Sequence, residues 1–294
     1  MNVALVFPPQ GHFTQPYLSL PSLAAYLRTN GHPVWQLDEN IAAYDHFLSR
    51  GRLERSLERV RAPARLAELE RRGELRFSEL ESYQTLSEIA LIGPEVAARV
   101  EEAKSVLRSR EEFYDYERYL WAGRTLEQAL RIISAEFAPT RLAAHGFTMQ
   151  NRVERSAEIV AALDDRAHNP FIEYFEEHTL PRLQALDPDL LGISVTFPSQ
   201  AIPALTLARL VKAWKPGLHV TLGEGCVIGA DVRIGAGSRL GHHVVIHDGT
   251  VIGANVRVDD HASLGKRPMK AANSATTKEQ ELALASQDYL VARQ

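Results

Sequence analysis

The segment LGEGCVIGADVRIGAGSRLGHHVVIHDGTVIGANVRVDDHASLG, residues 222–265, decides the fold of the carboxyl-terminal part of the chain. An aliphatic residue recurs in it at every sixth position: Leu222, Ile228, Ile234, Leu240, Ile246, Ile252, Val258 and Leu264. Two positions before each of the last seven stands a small or β-branched residue: Cys226, Val232, Ser238, Val244, Thr250, Val256 and Ala262. Such a ladder predicts a β-solenoid whose coils stack identical side chains into a narrow core.

Glycine follows six of the eight ladder aliphatics, and His247 and Asp259 follow the other two. Because glycine adopts positive φ at little cost, we expect the chain to turn directly after each inward aliphatic residue. Nine of the 18 glycines lie between Gly223 and Gly265, which marks a boundary near residue 222. We therefore predict an α/β domain over 1–222, the solenoid over 223–265, and a loop with a helical tail over 266–294.

The residues before this boundary alternate strands with helices. The apolar spacing predicts two strand–helix–strand units, at Val3–Phe7, Leu18–Thr29 and Pro33–Leu37, and at Leu190–Phe197, Ala204–Trp214 and Leu218–Leu222. Two such units predict a flavodoxin- or Rossmann-like parallel sheet, with ligands at the carboxyl ends of its strands. The charged segment between them, about 41–186, is predicted to be a helical insertion whose arginines pair with glutamates one helical turn away.

Composition excludes several classes of protein. The chain has 294 residues, 45% of them hydrophobic, and a net charge of −4, which argues against a nucleic-acid or anionic-membrane surface as its main partner. No apolar stretch approaches the length of a membrane span. The single cysteine, Cys226, excludes an intramolecular disulfide and an iron–sulfur cluster held by this chain alone, and favours a cytoplasmic location. We expect a small-molecule ligand and no metal site.

The hexad ladder resembles the hexapeptide-repeat acyltransferases, a family with a left-handed β-helix. The resemblance implies three hexads per triangular coil, a homotrimer formed through the β-helix, and acetyl-CoA or another acyl-CoA bound between subunits. It also implies a histidine as general base for O- or N-acyl transfer. His247 occupies a turn position where glycine is usual and His243 lies in the same coil, so these two are the candidate catalytic residues. Exposed turn histidines without a catalytic role are the alternative.

The first part of the chain resembles the amino-terminal cobalamin-binding domain of many radical S-adenosylmethionine enzymes. The resemblance is carried by VALVFPPQ at 3–10 and by the stretch NPFIEYFEEHTLPRLQALDPDLLGISVTFPSQAIPALTLARLVKAWKPGLHVTLG at 169–223. In that family the corrinoid lies over the carboxyl ends of the strands. The implied cobalamin contacts are Pro8, Pro9, Gln10, Ser194, Thr196, Phe197 and Gly223.

The chain departs from that family in three places. It has no Asp-x-His-x-x-Gly motif, so a bound cobalamin would have no histidine ligand from this motif. The ladder begins at Leu222, where the family would continue towards a fifth strand, and the cysteine motif of the catalytic barrel is missing. The strand at 218–222 would then form an edge, which we expect the first solenoid coil, an insertion helix or another subunit to cover.

Three interpretations of function follow. The first is a cobalamin-type binding protein that lacks the radical catalytic barrel. The second is an acyl-CoA-dependent acyltransferase whose first domain positions the acceptor. The third is a truncated fusion of two incomplete modules with no activity.

Overall fold

The computed structural model describes residues 1–11, 17–60, 64–74, 76–144, 146–151, 155–223, 227–228, 233–234, 239–240, 245–247, 249–259 and 262–265. Within these residues the fold is α/β, with a four-stranded parallel sheet, many helices and a series of short paired strands. The predicted tail at 266–294, together with Cys226, His242, His243 and His261, lies outside the described residues.

The helices of the described residues fall mostly between the two halves of the sheet. In chain order they are α1 (Ser19–Thr29), α2 (Glu39–Phe47), α3 (Arg50–Arg59), α4 (Ala64–Arg72), α5 (Phe77–Arg108), α6 (Tyr116–Glu136), α7 (Ser156–Asp164), α8 (Pro170–Tyr174), α9 (Leu180–Leu186) and α10 (Ala201–Trp214). A π-helical turn, Phe175–Thr179, joins α8 to α9, and 3-10 turns lie at Glu112–Tyr114 and Pro198–Gln200. The sequence predicted both α1 and α10, with starts one and three residues away from those observed.

Four strands form the main sheet: β1 (Val3–Phe7), β2 (Val34–Asp38), β5 (Leu190–Ser194) and β6 (His219–Gly223). Their order is β2-β1-β5-β6 and every pair is parallel, as the two predicted strand–helix–strand units require. A short hairpin of β3 (Arg141–Ala143) and β4 (Gly146–Thr148) interrupts the helices. The sequence analysis missed this hairpin, because strands of three residues are too short to show an alternating pattern.

Alternate residues of β1 enter two different cores. Ala4 and Val6 pack on one face against the insertion helices, whereas Val3, Leu5 and Phe7 pack on the other face with Leu20 and Ala24 of α1. All five residues of β1 are buried, which explains why the strand is a continuous apolar run rather than an alternating one. The sheet is therefore the middle layer of three.

The helical insertion is held together by a partly buried ion network as well as by its apolar core. Glu136 at the end of α6 accepts hydrogen bonds from Arg52 at 2.7 Å, from Ser56 at 2.6 Å and from Arg59 at 2.7 Å. Burial alone would raise the pKa of Glu136, but these donors hold it below its usual range. The expected one-turn pairing is present in Arg50–Glu54 and Arg72–Glu68, whereas Arg59 pairs across helices.

The hexad segment forms two-residue strands that pair in parallel with the strand eighteen residues further along. These strands are β7 (Val227–Ile228), β8 (Arg233–Ile234), β9 (Arg239–Leu240), β10 (Val245–Ile246), β11 (Val251–Ile252), β12 (Arg257–Val258) and β13 (Ser263–Leu264). They make three separate sheets, β7-β10-β13, β8-β11 and β9-β12. Three hexads per coil and three sheets are the arrangement of a triangular β-helix.

The inward positions of the solenoid agree with the ladder wherever side chains are described. Ile246, Ile252 and Val258 are buried in one cluster, and Val256, Ala262 and Leu264 pack against it. Gly265, which directly follows Leu264, has the expected positive φ of 71°, but the other described turns differ from expectation. Gly223, His247, Gly253 and Asp259 have no positive φ; among the turn residues of the described segment it occurs at Gly249, Asn255 and Gly265. The corner therefore falls mainly at the third residue after the inward aliphatic, because four residues connect successive strands.

The edge strand β6 is not covered as expected. His219 and Thr221 are exposed, and Leu222 at the end of the strand is 38% exposed. Among the described residues, neither a solenoid coil nor an insertion helix shields the strand. The third element expected to cover the strand, another subunit, is not tested by a single chain.

Two histidines, His46 and His178, lie together beside the insertion core. The His46 ring lies 4.4 Å from that of His178, and burial, His178, Arg52 and Arg55 lower its pKa from 6.5 to about 4, against an opposing effect of Glu173. His46 therefore takes up a proton near pH 6.5 in the unfolded chain but only near pH 4 in the folded chain. We expect the thermal midpoint to fall as the pH is lowered through this interval.

His46→Gln should flatten that fall, since glutamine does not titrate, and His219→Gln on the exposed edge strand should leave it unchanged. Thermal unfolding followed by circular dichroism between pH 7 and pH 4 measures both variants. Equal slopes for the wild type and His46→Gln would contradict the assignment.

Candidate functional site

The carboxyl edge of the sheet is the first candidate site. The chain crosses from β1 to β2 on one side of the sheet and from β5 to β6 on the other, so the loops after β1 and β5 diverge at adjacent strands. Open parallel sheets bind ligands at such a switch point. The seven predicted cofactor contacts all lie here, because they follow β1, end or follow β5, or end β6.

The side-chain amide of Gln200 ties the two loops together. Its Nε2 donates to the Pro8 carbonyl oxygen at 2.8 Å. Its Oε1 accepts from the backbone N–H groups of Thr196 at 2.8 Å and Phe197 at 3.1 Å. Gln200 is fully buried and its hydrogen bond to Pro8 is buried as well, whereas those from Thr196 and Phe197 are partly buried. The sequence analysis did not single out this residue, although a glutamine at the third position of a helical turn, three residues after its cap Phe197, is a capping signal.

A second set of contacts fixes Gln10, which is buried in the left-handed region at φ 74°. Ser199 Oγ donates to the Gln10 carbonyl oxygen at 2.7 Å, and Tyr44 Oη donates to Gln10 Oε1 at 3.3 Å and to the Ala143 carbonyl oxygen at 2.8 Å. Burial raises the pKa of Tyr44, so its hydroxyl keeps the donated proton. The loop after β1 is thus held in one conformation by α2 and by the loop after β5.

The predicted contacts differ in what they offer a ligand. Pro8, Pro9 and Gln10 are buried, and Ser194 is buried with its hydroxyl donating to Ser19 Oγ at 3.1 Å. Thr196 and Phe197 are half-buried and Gly223 is exposed. The Thr196 hydroxyl has no hydrogen bond among the described residues. The accessible surface of this edge is therefore formed by Thr196, Phe197 and Gly223. The four buried contacts lie beneath it.

Three aromatic rings support the same edge. The ring of Tyr17 stacks on Phe7 with centroids 4.6 Å apart and meets the edge of Phe197 at 5.4 Å. These contacts hold the Phe197 ring over the end of β1. An apolar ring beside a hydroxyl and a glycine is a surface suited to a flat organic ligand.

The carboxyl end of β2 carries a buried charge with a structural role. Glu39 Oε2 accepts from Tyr174 Oη at 2.7 Å and Thr179 Oγ1 at 2.6 Å, and Oε1 accepts from Arg182 at 2.9 Å. Both carboxylate oxygens are satisfied, as a fully buried acid requires. Glu39 therefore anchors α2 to the π-helical turn and α9.

The second candidate site lies on the solenoid at His247, directly after β10. Its ring is half-buried, and its Nε2 is 3.3 Å from the Ser263 hydroxyl, one coil further along. The backbone N–H of His247 donates to the Leu264 carbonyl oxygen at 2.9 Å, and the His247 carbonyl oxygen accepts from Thr250 Oγ1 at 2.6 Å. The predicted partner His243 lies outside the described residues. The sequence analysis did not identify Ser263.

The described residues contain neither a metal-binding cluster nor a membrane-spanning helix. No group of three or more histidine, cysteine, aspartate or glutamate side chains is placed to hold a metal ion. None of the helices in the described ranges is both long and apolar enough to cross a bilayer.

Comparison with known proteins agrees with the repeat segment. The family model described as bacterial transferase hexapeptide (six repeats) matches residues 225–260. Neither the curated proteins nor the solved structures include a significant match to the chain. The comparisons thus support the hexapeptide segment and contain no support for a cobalamin-binding domain.

The contacts of Gln200 lead to a stability prediction. Gln200→Ala should cost about 3 kcal/mol of unfolding free energy, because it leaves a buried carbonyl and two N–H groups without their partner. Gln200→Glu keeps both accepted hydrogen bonds but loses the one donated to Pro8. The decrease in its unfolding free energy should therefore be smaller at a pH low enough to protonate the new carboxyl. Urea unfolding measures both.

Gln128→Ala is the matched control, since Gln128 is half-buried on α6 and has no hydrogen bond in the described part of the chain. It should change the unfolding free energy by less than about 0.5 kcal/mol. A similar value for Gln200→Ala would show that the amide does not hold the loops.

Proposed function

We propose that this protein is an acyl-CoA-dependent acyltransferase whose repeat segment carries the catalytic base. The observation that carries the proposal is the match of residues 225–260 to a transferase hexapeptide family, on strands paired eighteen residues apart. The acceptor is a hydroxyl or an amine. In hexapeptide-repeat proteins a trimer is common, and we extend the proposal to a homotrimer that binds the acyl-CoA between subunits.

His247 is the proposed base. Its imidazole is half-buried at a coil corner, and its Nε2 lies 3.3 Å from the hydroxyl of the exposed residue Ser263. As the acceptor attacks the thioester carbonyl, the base takes the acceptor's proton and later returns it to the leaving thiolate. Backbone N–H groups would stabilise the oxyanion that forms between these steps.

The test is acetyl transfer from acetyl-CoA, measured by release of the free thiol with a panel of small alcohols and amines. His247→Ala should lower turnover about 10²-fold or more, the usual effect of removing a general base. His219→Ala, a histidine on the exposed strand β6, should leave turnover unchanged. Absence of acetyl-CoA binding by titration calorimetry, or equal turnover in His247→Ala, contradicts the proposal.

A second candidate function is the binding of a flat ligand, with a corrinoid as its class, at the carboxyl edge of the sheet. The observation that favours it is the convergence of Thr196, Phe197 and Gly223 on a rigid floor held by Gln200. Thr196 offers a hydroxyl to the amide rim of the macrocycle, and the Phe197 ring offers an apolar contact. A bound corrinoid would supply a cobalt centre, and the seven implied contacts include no histidine for it.

Absorbance of the desalted protein after incubation with hydroxocobalamin tests the second candidate. Binding should leave a spectrum without a protein nitrogen ligand, and Thr196→Val should weaken it about tenfold through loss of one hydrogen bond. Thr29→Val, on the far end of α1, is the control. If neither hydroxocobalamin nor acetyl-CoA binds at high concentration, both proposed functions are wrong and the inactive fusion is the remaining interpretation.

A further inference from the structure

The pairing of β10 with β13 places two chemically complementary side chains together. Val245 is opposite Ser263 and Ile246 is opposite Leu264, so His247 leaves β10 just beyond the point where Ser263 begins β13. His247 Nε2 and Ser263 Oγ are 3.3 Å apart, although the two residues are separated by sixteen positions in the chain. The backbone hydrogen bond from His247 to Leu264 fixes this juxtaposition.

The other hydroxyl at this corner is already engaged. Thr250 Oγ1 donates to the His247 carbonyl oxygen at 2.6 Å. Gly265, at φ 71°, lets the chain pass close to Thr250, because a Cβ at position 265 would collide with the threonine hydroxyl. Within the described residues, Ser263 has no other side-chain hydrogen bond. Ser263 is exposed and its hydroxyl lies within hydrogen-bond distance of an imidazole nitrogen, whereas the Thr250 hydroxyl is bound to the backbone.

A hydroxyl within hydrogen-bond reach of an imidazole is the arrangement of an activated nucleophile, and such distances are often longer in the absence of substrate. A purely structural role for the contact between His247 and Ser263 is less well supported. An exposed hydrogen bond between two side chains adds little stability, since water offers the same partners.

We propose that Ser263 is a nucleophile activated by His247 and that acyl transfer by this protein passes through an acyl-serine. The inference rests on the proposed acyltransferase function for its natural donor, an acyl thioester. It replaces direct attack by the acceptor with a covalent intermediate, so that the first group to receive the acyl is a side chain of the protein itself.

The step balances as follows. Ser263 Oγ forms a bond to the thioester carbonyl carbon while its proton passes to His247 Nε2. The C–S bond then breaks, and the thiolate takes that proton to leave as a free thiol. In the second half, an acceptor hydroxyl, an amine or water gives a proton to His247 and attacks the ester carbonyl carbon. The bond between that carbon and Ser263 Oγ then breaks, and Oγ takes the proton from His247 as the acylated product leaves. No electrons leave the system, and the donor and acceptor are the two reactants.

The experiment uses the full chain and p-nitrophenyl acetate, an activated acyl donor that does not depend on a CoA site. Wild-type protein should show a burst of about one p-nitrophenolate per chain, and peptide mass mapping should place an added acetyl group on Ser263. Ser105, an exposed serine on α5, is the control within the same molecule and should be labelled at least about tenfold more slowly.

Two variants separate activation from accidental labelling, with circular dichroism to show that each is folded. His247→Ala should abolish labelling of Ser263, and Ser263→Cys should restore a burst as a thioester if Ser263→Ala has removed it. Labelling of Ser263 at the rate of Ser105, or labelling unchanged in His247→Ala, overturns the proposal.

The outcomes also separate this inference from the proposed function. Turnover of acetyl-CoA that survives Ser263→Ala indicates direct transfer to the acceptor, so the acyltransferase stands and the covalent step is overturned. If Ser263 is labelled only when His247 is present, and acetyl-CoA does not bind, the activated serine is supported. Acyl-CoA is then not the donor, and the proposed function is wrong.

Discussion

One buried primary amide holds the carboxyl edge of the sheet together. The two central strands, β1 and β5, are adjacent but their loops lead to opposite sides, so nothing in the sheet ladder itself joins the loops. Gln200 supplies that link with one donated and two accepted hydrogen bonds. The conformations of Pro8, Thr196 and Phe197, and hence the surface offered to a ligand, depend on it.

The solenoid achieves rigidity by a different route. Each coil has only two-residue strands, and no single strand would be stable alone, so order comes from repetition of the same backbone pairing at a fixed interval. That interval also sets which side chains meet. A residue just after one strand approaches a residue at the start of the strand one coil later, which is why His247 meets Ser263 rather than a neighbour in sequence.

The sequence predicted those elements whose signal is local and repeated. The continuous apolar runs at Val3–Phe7 and Leu190–Phe197 and the unbroken six-residue ladder sufficed for the parallel sheet and the stacked aliphatic core. Contacts that depend on tertiary proximity were not predictable. The amide of Gln200 reaches Pro8 across almost the whole first part of the chain, and the Ser263 hydroxyl has no distinguishing neighbour in sequence. Positive φ was expected directly after the aliphatic residues because glycine was common there, but the geometry of a four-residue corner places it mainly two positions later.

The exposed edge of β6 has a consequence for how such a chain can arise. His219–Gly223 is the last strand of the sheet, and its outer edge pairs with no further strand among the described residues. A chain can therefore leave the sheet after Gly223, only four residues before the first solenoid strand, without disturbing the packing of the preceding layers. Recombination at this point would join two architectures while each retained its own interior, and solenoids with other numbers of coils could be exchanged there by design. The same open edge is where a newly made chimera is most exposed to association through its backbone.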